Sequence, residues 1–225
     1  MKRYILACLT VAVVFTCSLA SVKADDLYQP PWLRGSAGTT FQAWDFATSG
    51  SPNGRYATPD AGYYNPYGTP SAAISYGIWS AFYDNHVGVW TCPYGMGEYF
   101  TVPNTTDDNP YKYVWTQITW QSDNGGSPDF NVSAGGSTSE TWLESVTPVG
   151  NGDWMQSVYL TLLSPNPSSE VVSIQCSYEP GSSLAVGQVV IDTLCTSTLI
   201  PEPSSLALLA MGAIGLSYAS RKRKD

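Results

Sequence analysis

Apolar side chains return at every second position along much of this chain. That period constrains the fold more than any other feature, because only an extended strand sends alternate residues to one face. Over residues 113–121, Val114, Ile118 and Trp120 share a face with Thr116; over 154–163, Trp154, Val158, Leu160 and Leu162 do so. The same holds for Val172, Ile174, Cys176 and Tyr178 over 171–178, and for Val189, Ile191 and Cys195 over 187–195. Further strands are expected over 39–46, 73–83, 87–92, 98–102, 130–134 and 141–146. Turn formers separate them: Ser51-Pro52-Asn53-Gly54, Asp123-Asn124-Gly125-Gly126, Gly150-Asn151-Gly152-Asp153 and Glu179-Pro180-Gly181. Helical periodicity is nearly absent. Nine or ten short strands of this kind predict an all-β fold, an antiparallel β-sandwich of jelly-roll type, with a closed barrel as the alternative.

The strands fall within residues 25–200, a length sufficient for one domain with a substantial core. Charge is distributed unevenly. Only Arg34, Arg55 and Lys112 lie in this body, against sixteen acids, so it carries a formal −13 while both ends of the chain are basic. Such a surface repels phosphate backbones and anionic headgroups, which argues against nucleic acid as a partner. Gly, Ser, Thr, Asn, Tyr and Trp dominate instead, a composition suited to an extracellular β domain.

Each end has its own reading. Met1-Lys2-Arg3 followed by an apolar run over 4–19 and by Val22-Lys23-Ala24 has the plan of a signal peptide, here residues 1–24. Near the other end, residues 204–219 are mostly Leu, Ala, Gly, Met and Ile. As a helix they rise about 24 Å, a little short of the ~30 Å hydrocarbon core, and flanking bases can snorkel to the interface. Arg221, Lys222, Arg223 and Lys224 then form a stop-transfer cluster that stays cytoplasmic, leaving the body outside.

Pro201-Glu202-Pro203, the short apolar segment and the four terminal bases, in that order, resemble the PEP-CTERM sorting signal of Gram-negative bacteria over residues 201–225. The prolines keep the tripeptide extended and out of the following helix. The resemblance implies recognition by an exosortase-type membrane transpeptidase, removal of the tail, and a final place at the cell surface or in an exopolysaccharide-rich matrix. The membrane is then a partner only through the transient helix.

Export permits disulfides, and Cys92, Cys176 and Cys195 follow the signal peptide. A Cys176–Cys195 bridge is expected, because both fall on apolar faces of consecutive strands; closing that loop stabilises by about 3 kcal/mol. Cys92 with either partner is the alternative. Reactive constellations are scarce. His86 is the only histidine and precedes Cys92 by six residues, a spacing that neither brings nor forbids a Cys–His pair. Glu140 and Glu144 share a strand face roughly 13 Å apart, too far for glycoside hydrolysis. Asp107-Asp108-Asn109 and Asp123-Asn124 lack calcium-loop spacing and read as turns. No cofactor or metal is expected, nor catalytic residues.

Aromatic residues are the one feature with binding character. Tyr56, Tyr63, Tyr64 and Tyr67 crowd a segment rich in Pro, Gly and Asn, where exposed rings suit stacking on sugars. The plain alternative is that they pack over the sandwich as a lid. The body is therefore read as a non-catalytic surface- or matrix-associated domain, with a glycan-binding module and then a polysaccharide hydrolase as alternatives.

Overall fold

The computed structural model describes residues 26–200 apart from 52, 53, 94, 106, 108, 136, 137, 151 and 177–182. The expected signal peptide and the whole sorting segment, with its apolar helix, lie outside the described residues. Every described element is a strand. In order they are β1 (Thr39–Trp44), β2 (Arg55–Tyr56), β3 (Gly62–Tyr64), β4 (Ser71–Tyr76), β5 (Ile78–Tyr83), β6 (His86–Cys92) and β7 (Met96–Pro103). There follow β8 (Tyr111–Ser122), β9 (Phe130–Ala134), β10 (Thr138–Pro148), β11 (Met155–Ser164), β12 (Ser169–Cys176) and β13 (Leu184–Thr196).

All pairings are antiparallel, and they build two sheets. The larger runs β10-β11-β8-β13-β1-β3, with β6 also on β13 and β5 on β6; the smaller runs β2-β4-β7-β12-β9. The two-sheet antiparallel architecture expected from the alternation is present. β13 holds the large sheet together. It lies along β8 on one side, and on the other meets β6 through Leu184–Val186 and β1 through Val189–Leu194. Its register shifts between Val186 and Gln188, where the chain passes from one neighbour to the next.

The core lies between the sheets. Trp44 packs on Phe100 with ring centroids 4.8 Å apart, Trp120 on Phe130 at 6.1 Å and Phe46 on Tyr56 at 5.6 Å, tilted or edge-on as aromatic quadrupoles favour. Outside the larger sheet, residues 26–34 lie across β8 and β13. Trp115 donates to the Tyr28 carbonyl, Tyr28 N–H donates to Gln117, and Arg34 forks onto both Asp26 and Asp192 while stacking 4.2 Å from the Phe41 ring centre.

One strand expected from the sequence, over 73–83, is two. It breaks at Gly77, which takes φ +138° between β4 of the small sheet and β5 of the large one. A Cβ at this corner would sit 3.0 Å from the Cys92 sulfur and 3.2 Å from the Thr91 carbonyl oxygen, so glycine is what lets the chain change sheets there.

Candidate functional site

The outer face of the small sheet carries a groove of about 800 Å³. Its floor is set by the register. Tyr76 of β4 pairs with Gly97 of β7, Gly97 with Gln175 of β12, and Gln175 with Asn131 of β9, so four neighbouring strands place these residues in one row. At about 4.8 Å between strands the row is roughly 14 Å long. Ala72 and Ile74 of β4 point into the core, and unbroken alternation would have sent Tyr76 inward as well. A register shift between Ile74 and Tyr76 turns it outward instead, leaving the ring 70% exposed.

Gly97, in the middle of the row, is itself buried. Tyr99, two residues along and on the same face, leans over it, its ring edge and hydroxyl each 3.5 Å from where a Cβ would stand. Gln175 donates to the Tyr99 hydroxyl at 3.3 Å and so fixes the ring's tilt. Asp129 adds a carboxylate, the only charge among the described lining residues, none of which is Lys, Arg or His. The chemistry on offer is ring stacking, amide donors and acceptors, and one anionic acceptor.

A second polar cluster is buried between the sheets. Lys112 of β8 and Glu170 of β12 form an ion pair of 2.7 Å with both side chains fully enclosed. Burial pushes the Glu170 carboxyl up, against the opposing pull of Lys112. Cys195, cross-strand from Lys112, donates to Asn104 at 2.9 Å, and Asn104 in turn donates to Asn166 and to the Pro167 carbonyl. Burial raises the Cys195 thiol, which keeps it protonated and unreactive at neutral pH. This cluster joins the sheets.

The expected Cys176–Cys195 bridge does not form. β12 and β13 lie in different sheets, and Cys195 pairs with Lys112, whose ionic partner Glu170 is six residues, roughly 20 Å, along β12 from Cys176; Cys195 donates to Asn104 instead. Consecutive strands proved to be neighbours in sequence only. The Cys–His pairing also has no basis, because His86 opens β6 and Cys92 closes it, about 20 Å away along an extended strand. His86 instead lies against Trp154, ring centroids 4.6 Å apart, and burial pushes the Cys92 thiol up.

The four tyrosines are not one platform. Tyr56 is core: it is 6% exposed, donates to the Thr48 carbonyl and accepts from Trp90, so it cannot meet a ligand. Tyr63 and Tyr64 lie on β3 at the edge of the large sheet and are about half exposed; being consecutive in a strand, they face opposite ways. Tyr67 is half-buried in the turn that Asn65 organises. Glu140 and Glu144 are exposed on the edge strand β10. Asp123 accepts from both the N–H and the hydroxyl of Ser183, which holds its carboxyl low and makes it a turn clamp. Among the described residues, no three His, Cys, Asp or Glu side chains gather as a metal site.

The groove was not legible in the sequence. Tyr76 and Tyr99 fall in different strands, and the row exists only through pairing. The body is thus a two-sheet antiparallel β domain, and the segment following it matches a family model, the PEP-CTERM protein-sorting motif, over residues 199–224. The chain carries a PEP-CTERM protein-sorting motif over these residues. The motif supports export with transient membrane anchoring, and it implies processing by exosortase, a membrane protein. No curated protein and no solved structure matches the chain.

Proposed function

We propose that this is an exported protein of the cell surface or extracellular matrix, with a non-catalytic β-sandwich body and a tail that exosortase removes. The observation that carries this reading is the junction. β13 ends at Thr196, and the sorting motif begins at residue 199. The central strand of the larger sheet is therefore the last piece of the body, and the address follows at once. A cut within the motif spares every described strand, whereas a cut before residue 184 would take β13 away from β8, β1 and β6 together. Tail and body are built to be separated.

Support for a body without catalysis comes from its polar groups. The thiols are held protonated by burial, the histidine lies against a tryptophan, and the described lining of the groove has one carboxylate where glycoside hydrolysis takes two. The experiment is expression in a host with and without its exosortase, followed by intact-mass analysis of the surface fraction. The expected mature chain lacks Asp225 only where the enzyme is present. A surface form that keeps Asp225, or reducing sugar released from a polysaccharide panel, overturns the corresponding half of this reading.

A further inference from the structure

We propose that the groove on the outer face of the small sheet is a binding site for a neutral oligosaccharide, stacked on Tyr76 and Tyr99 and hydrogen-bonded by Asn131, Gln175 and Asp129. A sugar ring has apolar C–H faces and a rim of hydroxyls that both donate and accept. It needs a flat ring beside it and short polar side chains around it, and it needs no cation. The groove supplies this set. Tyr76 offers an exposed aromatic face, placed there by the register shift between Ile74 and Tyr76. Tyr99 supplies a second ring, and its tilt is preset by Gln175. Asn131 and Asp129 supply donors and acceptors at the far end of the row.

Two further observations narrow the ligand. With Asp129 as the only charge among the described lining residues, in a body of strongly negative formal charge, an anionic polymer is repelled. At about 800 Å³ the groove falls within the range of small-molecule sites, and its open shape and 14 Å row fit a stretch of chain lying across strands. The surface tyrosines of β3 fit less well, since Tyr63 and Tyr64 face opposite sides of one strand.

The test is calorimetric titration of the full-length protein, purified in a detergent without sugar headgroups. The probes are cellohexaose, laminarihexaose, mannohexaose and maltohexaose, with hexagalacturonate as the anionic comparison. At least one neutral hexamer is expected to bind. Tyr76→Ala and Asn131→Ala should each weaken it about tenfold, Tyr76→Phe should retain it, and Phe82→Ala on the exposed β5 ribbon should leave it unchanged. Tyr76 is mostly exposed, so its variants should keep the parental near-ultraviolet circular dichroism. The proposal fails if no neutral hexamer binds at millimolar concentration, or if hexagalacturonate binds more tightly. It fails equally if Tyr63→Ala/Tyr64→Ala abolishes binding while Tyr76→Ala does not. None of these outcomes depends on the fate of the tail.

Discussion

Glu98 is a carboxyl whose titration is governed by burial alone. It sits on the core side of β7 between Ile74 and Ile174, fully enclosed, and neither carboxylate oxygen has a hydrogen-bond partner among the described residues. Burial therefore raises its carboxyl from 4.5 to about 8. The sign of the consequence follows. Because the folded value exceeds the unfolded one, the stability contributed by the protonated acid is complete below about pH 4.5, declines as the unfolded chain ionises, and is lost by about pH 8. The loss is on the order of a few kcal/mol. Asp192, raised to about 6 by burial that outweighs Arg34, acts in the same direction. The melting temperature should fall between pH 5 and pH 8, and Glu98→Gln should flatten most of that slope. Parallel pH curves for the two proteins would show that Glu98 is hydrated or partnered in solution.

At the scale of elements, the Lys112–Glu170 pair sets the contact between β8 and β12. Two charges removed from water are tolerable only together. Lys112→Met should thus cost roughly 3–5 kcal/mol by leaving a buried carboxylate, while Lys112→Met with Glu170→Leu should recover most of it. Urea unfolding of the two single variants and the double variant closes the cycle, and additive losses would show that the charges do not interact. The strands themselves were readable in advance. The alternation over 113–121, 171–178 and 187–195 lies within or largely overlaps β8, β12 and β13, and residues 130–134 coincide with β9. The pairing was not. Period two says which residues share a face and nothing about which strand comes alongside, so Cys176 and Cys195 were expected together although their strands lie in different sheets. The same blindness hid the row from Tyr76 to Asn131. Peptide mapping without reduction should show no Cys176–Cys195 link, and finding one would require β12 and β13 to be rearranged from the sheets seen here.

For the molecule as a whole, the order of strands decides when it can fold. β1 and β8 have no contact with each other until β13 enters between them, because β13 is the strand that pairs with both. The chain must therefore be exported nearly to its end before the larger sheet can close, and the sorting segment emerges immediately afterwards. Two truncations separate the body's needs from the tail's. A chain stopped after residue 200 retains all thirteen described strands, together with the hydrogen bond from the Ile200 N–H to the Tyr113 hydroxyl. A chain stopped after residue 183 lacks β13, and with it Leu184, Val186, Val189 and Ile191 from the core. Burial of those four side chains contributes roughly 1.5–3 kcal/mol each, comparable in sum with the whole stability of a domain this size. The longer form should give a β-type circular dichroism spectrum and a cooperative melt; the shorter should give neither. A cooperative melt from the shorter chain would mean that the remaining strands close a sheet without β13, and the separation of tail from body would then no longer depend on cutting downstream of it.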